Sequence, residues 1–267
     1  MINIEHKERR ISLMEVLKSQ ARVIFALMLR DIKSRWGSTP AYVITILWPL
    51  AHILILVMIW TALGRVAPYG ESNVLWFSIS MLPFMACTYA ARFLLIGVLA
   101  SKPLIAFPLI KITDILFSRI IIEILNSVVL VLCIAFWLWL LNVNSMPYDV
   151  KQAFFAFSVS IFMGLGMGIV NALIGVVFHM WVTGFMLMMV VLWLTSGIVF
   201  DPNAIPIELR NFLYWQPIIH IVEWMREAYF PGYRSLILDK AFAVYYSLLL
   251  IVLGLTIERF ARGRIVL

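Results

Sequence analysis

Long apolar runs separated by short polar segments dominate this chain. Six runs are long enough to be membrane spans, and they lie near residues 41–63, 74–97, 115–141, 153–178, 182–200 and 241–258. A helix that crosses a bilayer needs roughly 20 predominantly apolar residues. Because the bilayer core offers the backbone no hydrogen-bond partners, each run should be an α-helix. The pattern predicts an all-α integral membrane protein, with six transmembrane helices in a single domain over residues 1–267.

Two segments outside these runs also have a helical pattern. Residues 12–30 alternate apolar and charged positions at helical spacing, which is typical of an amphipathic helix lying in the membrane interface. Prolines divide residues 201–239, where the stretches 207–215 and 218–229 are apolar but too short to span. We expect residues 201–233 to form a re-entrant or interfacial helical segment.

Composition and charge restrict the class of protein. Hydrophobic residues make up 63% of the chain and charged residues 13%, whereas soluble domains have about 45–50% and about 25%. The composition therefore excludes a soluble domain. With the N-terminus in the cytoplasm, more Lys and Arg residues flank the spans inside than outside, so we expect both termini to be cytoplasmic.

The loop from Ser101 to Asp114 is strongly apolar for an exposed segment. Leu104, Ile105 and Phe107 would be costly to leave in water, so we expect the loop to dock on another protein or on the membrane surface.

Ionisable residues within or beside the spans are candidates for function. Arg92 lies in the second run, and Arg119 and Glu123 lie near the start of the third, one helical turn apart. Pairing of Glu123 with Arg119 or with Arg92 is the expected outcome, ahead of a proton relay. His220, Glu223 and Glu227 share one face of a short helix, which we interpret as its solvated face rather than as a metal or catalytic site.

Aromatic residues occur deep in several runs as well as at their ends. Their faces can bind the apolar faces of sugars, so they suit a polysaccharide pathway, although packing against lipid is an equally good explanation for any single ring. Gly164 and Gly168 form a G-x-x-x-G pattern that permits close approach of another helix. The chain contains no phosphate-binding G-x-x-x-x-G-K-[ST] motif and no H-E-x-x-H, G-x-S-x-G or C-x-x-C motif.

Three regions have a distinctive sequence: RDIKSRWG (Arg30–Gly37) leading into LWPL (Leu47–Leu50), LIAFPLIKITDILFSRIIIE (Leu104–Glu123), and QPIIHIVEWMREAYFPGY (Gln216–Tyr233). They resemble the capsular polysaccharide export permeases, the membrane subunits of type-2 ABC transporters. The fragments occur in the family's order, and the resemblance covers essentially the whole chain.

The resemblance implies a homodimer in the bacterial inner membrane, bound to two copies of a separate ATP-binding subunit that uses ATP and magnesium. This chain would hold no cofactor and no metal and would bind no nucleic acid. A periplasmic adaptor of the polysaccharide co-polymerase type and an outer-membrane exporter would continue the route, and a lipid-linked polysaccharide would be the substrate.

The resemblance also implies site residues. The candidate ATPase-coupling residues are Arg30, Lys33, Arg35, Leu104, Ile105, Phe107, Pro108 and Lys111. The candidate pathway or gate residues are Trp48, Tyr89, Phe93, Trp193, Phe200, Trp215, His220, Glu223 and Trp224, with residues 201–233 as the periplasmic gate.

Other functions remain open at this point. Exporters of O-antigen or of teichoic-acid-type glycans share much of this architecture. An integral-membrane enzyme acting on lipid-linked sugars would need convergent acids, which only His220, Glu223 and Glu227 offer. A passive channel or scaffold would require no ATP.

Overall fold

A computed structural model describes residues 13–35, 39–106 and 110–265, and the regular elements in these ranges are all helices. They are α1 Leu13–Arg35, α2 Thr39–Ala62, α3 Asn73–Ala100, α4 Ile112–Leu140, α5 Val150–Val177, α6 Trp181–Thr195, α7 Ile207–Leu213, α8 Pro217–Tyr229 and α9 Lys240–Ile265. A 3₁₀ turn over Lys102–Ala106 lies between α3 and α4. The prediction of an all-α protein is confirmed for the described residues.

In the described part of the chain, four helices are long and apolar enough to cross a membrane: α3, α4, α5 and the Lys240–Phe260 part of α9. The other two predicted spans correspond to α2 and α6. The apolar part of α2 with described side chains begins at Leu47. Helix α6 has 15 residues and is about 22 Å long, which is shorter than a hydrocarbon core of about 30 Å. For α2 and α6, spanning stays a prediction.

Polar residues cap the starts of several helices. Ser72, Asp149 and Gln216 precede α3, α5 and α8, and each side chain accepts a hydrogen bond from the backbone N–H three residues later, at 3.2, 3.0 and 2.7 Å. Such caps satisfy amide groups that a helix leaves unpaired at its first turn. Gln216 is followed by Pro217 at the first helical position, where the missing N–H costs nothing. These local signals fix the beginnings of the helices.

Helices α3 and α5 form the centre of the molecule and approach each other closely. A Cβ atom added to Gly164 would lie 2.3 Å from the carbonyl oxygen of Cys87, and one added to Gly168 would lie 2.8 Å from a methyl group of Leu94. The close approach predicted from the G-x-x-x-G pattern is confirmed, and its partner is α3.

The two ends of the bundle differ in the short elements that cover them. Helix α8 packs against α3 and α5, and the backbone N–H of Asp149 donates to the carbonyl of Ala228 at 2.9 Å. We call this the α8 end. Helix α1 packs on α4 at the opposite end, the α1 end, where Leu27 is buried with Val98 and Ile112.

The predicted short elements are present as helices. Helix α7 lies within the stretch 207–215, and α8 covers the stretch 218–229 and begins one residue earlier, at Pro217. Helix α1 covers residues 13–30 of the predicted interface helix and continues to Arg35, whereas residue 12 lies outside the described residues. The placement of α1 in a membrane interface and the re-entrant nature of residues 201–233 stay predictions.

Candidate functional site

A groove lies between α2, α3 and α6. It contains a cavity of about 420 Å³ and continues along α2 into a second hollow of about 470 Å³. The cavity is lined by His52, Leu56, Phe84, Met85, Thr88, Tyr89, Arg92, Met186, Met189, Val190 and Trp193. The second hollow shares His52, Leu56, Tyr89 and Arg92 and adds Trp48, Ala51 and Ile55. We refer to the two together as the groove.

Three of the predicted pathway residues meet in this groove: Trp48, Tyr89 and Trp193. The Tyr89 hydroxyl lies 3.1 Å from Nδ1 of His52, which holds the two rings together across α2 and α3. Trp193 is stacked on Trp60, with ring centroids 6.3 Å apart and the planes at 9°. The aromatic walls are therefore held by packing from three helices.

Arg92 lies in the same groove and is the charged residue of its lining. Among the described residues, it forms no ion pair, and its Nε atom is buried without a hydrogen-bond partner. The predicted pairing of Arg92 with Glu123 is not present in the structure. Glu123 is itself buried and accepts a hydrogen bond from the Asn126 amide at 3.1 Å.

Arg119 has a partner that the sequence analysis did not name. Its Nε atom lies 2.8 Å from Oδ2 of Asp31 in α1, and both side chains are buried. The guanidinium fits only because residue 97 is glycine, since a Cβ there would lie 2.7 Å from Nε. This ion pair of Arg119 with Asp31 ties α4 to α1.

A second buried ion pair lies at the α8 end. Nη1 of Arg226 donates to Oε1 of Glu223 at 2.5 Å, and neither side chain is exposed. Nε donates to the Ser80 hydroxyl at 2.8 Å, and Nη2 donates to the Gly197 carbonyl at 2.9 Å. The guanidinium also stacks over Trp76 at 4.3 Å. Arg226 therefore joins α8 to α3 and to the turn after α6.

The Gly197 turn and Tyr233 add hydrogen bonds to the Arg226–Glu223 pair. Gly197 has φ of +77°, a conformation that L side chains rarely adopt, and this turn presents its carbonyl to Arg226. The Tyr233 hydroxyl donates to the other Glu223 oxygen at 2.8 Å. Burial and the adjacent Glu223 carboxylate raise the pKa of Tyr233 well above its usual value, so it stays a donor.

His220 is buried and both of its ring nitrogens are engaged. The backbone N–H of Asp239 donates to Nδ1 at 3.0 Å, which leaves Nε2 to donate to the carbonyl of Tyr214 at 2.8 Å. Burial lowers the pKa of His220, so the ring is neutral. The interpretation of His220 and Glu223 as a solvated face is wrong, because both are fully buried against neighbouring elements.

Glu227, the third residue of that face, is partly buried. It accepts a hydrogen bond from the backbone N–H of Ser235 at 3.1 Å and lies 3.5 Å from Nζ of Lys240. His220, Glu223 and Glu227 are thus all engaged in hydrogen bonds or ion pairs within the protein. This arrangement does not support metal binding or acid–base catalysis. Among the described residues, no group of three or more His, Cys, Asp or Glu side chains is placed to hold a metal ion.

The other predicted pathway residues lie apart from the groove. Phe93 packs beside Tyr89, with ring centroids 5.6 Å apart, but does not line the groove. Phe200 packs against a small cluster that contains Leu213. Trp215 is exposed, and Trp224 is buried with its Nε1 donating to Gln152 at 2.7 Å. The structure thus divides the predicted pathway set between the groove and the α8 end.

Two of the predicted coupling residues of α1, Arg30 and Lys33, have described side chains; Lys33 is exposed and Arg30 is partly exposed. Arg30 and Lys33 line a surface hollow of about 530 Å³ together with Ala26 and Leu29, and we call these four residues the α1 face. Nη2 of Arg30 also lies 3.2 Å from Asp31. Arg35 ends the helix, and its side chain is outside the described residues.

The predicted coupling residues of the loop from Ser101 to Asp114 differ in their burial. Leu104 is half-buried against the cluster that contains Leu27 and Val98, so it docks on this chain's own helices. Lys111 is exposed just before α4. The side chain of Ile105 is not described, and Phe107 and Pro108 lie outside the described residues.

His52 is a polar groove residue that was not predicted from the sequence. It follows Trp48 by four positions in α2, and Arg92 follows Tyr89 by three positions in α3. Residues three and four apart share a helix face, so a polar residue beside an aromatic one in an apolar helix was an available signal. Arg226 was missed in the same way, although it lies three positions after Glu223.

The chain is similar to known transport proteins along most of its length. A sequence profile of the family described as ABC-2 type transporter matches residues 22–230. The polysialic acid transport protein KpsM of Escherichia coli is 25% identical, over 90% of this chain and 93% of that protein. The capsule polysaccharide export inner-membrane proteins CtrC of Neisseria meningitidis and BexB of Haemophilus influenzae are 27% and 25% identical, over 94% and 92% of this chain and 96% and 94% of their own lengths.

Proposed function

Because this chain belongs to the ABC-2 type transporter family, we propose that it is the membrane subunit of an ATP-driven exporter of lipid-linked capsular polysaccharide. One observation carries the substrate class. Relatives named for polysialic acid transport or for capsule polysaccharide export align with at least nine-tenths of the chain. The protein would act in the bacterial inner membrane as a permease, and a separate subunit would hydrolyse ATP with magnesium.

The proposed assembly is a homodimer with six spans per subunit and both termini in the cytoplasm. Two ATP-binding subunits would bind at the α1 end, and a periplasmic adaptor with an outer-membrane exporter would receive the polymer at the α8 end. Support for six spans comes from the apolar helices α2 and α6. In sequence order α2 precedes the four longer helices and α6 lies between α5 and α9, so the total is an even number, as two termini on one side require. Residues 201–233 would form the periplasmic gate as a re-entrant segment.

The groove is the proposed part of the translocation pathway in this subunit. Trp48, Tyr89 and Trp193 offer aromatic faces from three different helices along one hollow. Flat rings bind the C–H faces of sugars with little directionality, so a polymer can slide past them without strong retention at one position. The buried pairs at either end would hold the helices that frame this route.

The α1 face is the proposed contact for the ATP-binding subunit. Leu29 and Lys33 are exposed there, and neither side chain supports the core. An exposed apolar residue beside a cation is suited to a partner with an apolar contact and an acidic rim. A ligand-driven change requires contacts that differ between two states, and the Asp31–Arg119 pair would carry movement of α1 into α4.

The export function is tested by deleting the gene in its own host. We expect capsule to disappear from the cell surface and to accumulate inside, as measured by surface staining and by extraction of lipid-linked glycan. Accumulation of O-antigen or of teichoic acid would assign the protein to those exporters instead. Unchanged surface glycans, together with turnover of lipid-linked sugars by the purified chain alone, would favour the membrane enzyme.

The coupling contact is tested by charge reversal on the α1 face. Lys33→Glu should reduce co-purification of the ATP-binding subunit in mild detergent and abolish capsule export, while the protein still inserts. Lys151→Glu, an equal charge change at an exposed position in the first turn of α5, is the matched control. Normal export and normal co-purification in Lys33→Glu would reject the α1 face as the contact.

A further inference from the structure

Arg92 places a guanidinium in the groove, and the described part of the chain supplies no counter-ion for it. No described carboxylate lies within 4.0 Å of it, and its buried Nε has no hydrogen-bond partner in the described ranges. Arg92 is about 12 Å along the axis from the last residue of α3. It therefore lies within a helix that is long and apolar enough to cross a membrane.

A charged side chain at such a position is costly unless it is paired or faces a cavity. The arginines that are fully buried among the described residues follow the first alternative, because Arg119 pairs with Asp31 and Arg226 with Glu223. Arg92 follows the second, since it lines the groove. An anionic ligand that enters the groove would supply the counter-ion for Arg92 that the described part of the chain does not provide.

The neighbours of Arg92 define the chemistry of such a ligand. Trp193 lines the same cavity, and its buried Nε1–H has no acceptor among the described residues. Tyr89 adds a second ring with a hydroxyl, and Met186 and Met189 add flexible apolar surface. A guanidinium binds carboxylate or phosphate through two parallel hydrogen bonds, while indole and phenol rings bind sugar faces and hydroxyls.

We propose that the groove binds an anionic oxygen group, a sugar carboxylate or a phosphate, on an amphiphilic glycan carrier, with Arg92 as its counter-ion. Trp193 and Tyr89 would contact the sugar next to the charge, and the methionines would contact the apolar part. Naming this ligand as the exported substrate rests on the proposed function. The binding itself does not, because it depends only on the groove.

The test uses three probes with the same twelve-carbon tail. Dodecyl glucuronide carries a sugar carboxylate, dodecyl phosphate carries a phosphate, and dodecyl glucoside carries a neutral sugar. The full chain is placed in phosphatidylcholine nanodiscs, and the apparent Kd of each probe is measured by thermophoresis. We expect at least one anionic probe to bind about ten-fold or more tightly than the glucoside, as a charge-assisted bidentate contact predicts.

Variants assign any preference to Arg92. Arg92→Gln should remove the preference for anionic probes and leave glucoside binding in place, whereas Arg92→Lys should keep part of it because it retains the charge. Arg259→Gln, an equal charge change at an exposed position of α9, should behave as the wild type. A preference that survives Arg92→Gln, or the absence of any preference in the wild type, overturns the proposal.

The probes also identify the source of the charge. Tighter binding of the glucuronide assigns the site to an acidic sugar, and tighter binding of the phosphate assigns it to the lipid linkage. If a carboxylate of a second copy of the chain occupied Arg92 instead, no probe would be preferred and the proposal would fail. Failure here would leave the deletion phenotype intact, whereas failure of the export function would leave the Arg92-dependent preference intact.

Discussion

Arg226 at the α8 end and Arg92 in the groove both lie among apolar helices, yet their surroundings differ. Arg226 is fully buried, and its guanidinium donates to the Glu223 carboxylate, the Ser80 hydroxyl and the Gly197 carbonyl. Arg92 is half-buried, lines a cavity, and forms no ion pair with the described residues. A charge whose partners are all internal serves folding, whereas a charge held open in a cavity is available to a ligand.

The two arginines also differ in how closely the elements around them pack. The partners of Arg226 come from α3, from the turn after α6 and from α8 itself, so the pair joins three elements. The groove is formed by three helices that leave space between them for about 420 Å³. Dense packing at the α8 end suits a fixed frame, and the open hollow between α2, α3 and α6 suits the proposed passage for substrate.

The largest loss of stability is expected when Glu223, the counter-ion of Arg226, is replaced. Glu223→Gln removes the counter-ion and leaves the Arg226 charge fully buried, which typically costs about 3–5 kcal/mol. Thermal unfolding of the purified protein should show a large loss of stability. Glu208→Gln, at an exposed position of α7, is the matched control and should change the free energy of unfolding by no more than about 0.5 kcal/mol.

A double replacement distinguishes burial of charge from loss of packing. Glu223→Leu combined with Arg226→Met removes both charges, and paired removal is often far less costly than removal of one partner. Recovery of stability in the double variant would confirm that the isolated charge causes the loss. If Glu223→Gln alone were harmless, the assignment of this pair to the frame of the molecule would be wrong.

The next effect is a dependence of stability on pH through His220. Burial lowers the pKa of folded His220 below its unfolded value of 6.5. Above pH 6.5 the ring is neutral in both states, and stability is full. As the pH falls below 6.5, the unfolded state takes up its proton first, so the free energy of unfolding decreases towards the folded pKa.

His220→Gln is the variant that isolates this titration. The glutamine amide can donate to the Tyr214 carbonyl and accept from the Asp239 N–H, but it does not titrate. Melting temperatures measured from pH 7 to pH 5 should fall less steeply in His220→Gln than in the wild type. His179→Gln, which changes an exposed histidine, should keep the slope of the wild type. Equal slopes in all three proteins would contradict the assignment.

Local patterns predicted the helices well, because the signals that define them lie within a few residues. The prolines of residues 201–239 delimited α7 and α8, and the glycines at 164 and 168 predicted a close helix contact. The ends of the apolar runs predicted the ends of the helices less well where a helix is short. Helix α6 ends at Thr195, five residues before the predicted end of the fifth span, because Gly197 turns the chain towards Arg226.

The partners of charged residues could not be predicted in the same way. Arg226 and Ser80 are 146 positions apart, and Asp31 and Arg119 belong to helices at different places in the chain. No local spacing brings such residues together, since their contact depends on how α1, α3, α4 and α8 pack. The aromatic residues Trp48, Tyr89 and Trp193 were predicted by type and depth, but only packing shows that these three meet and that Trp224 does not join them.

The smallest effect on stability is expected at Arg92, and it is the sharpest test of the contrast. Arg92→Gln breaks no ion pair with the described residues and removes a charge from an apolar position, so stability should change by no more than about 0.5 kcal/mol or should increase. Arg119→Gln is the matched reference, because the same replacement there leaves the buried Asp31 without its Arg119 partner and should lower the melting temperature. Equal destabilisation by the two replacements would mean that Arg92 holds the fold together. The Arg92 charge would then no longer support binding of an anionic ligand in the groove. A stable Arg92→Gln protein that no longer exports would place the role of this arginine in the groove rather than in the frame.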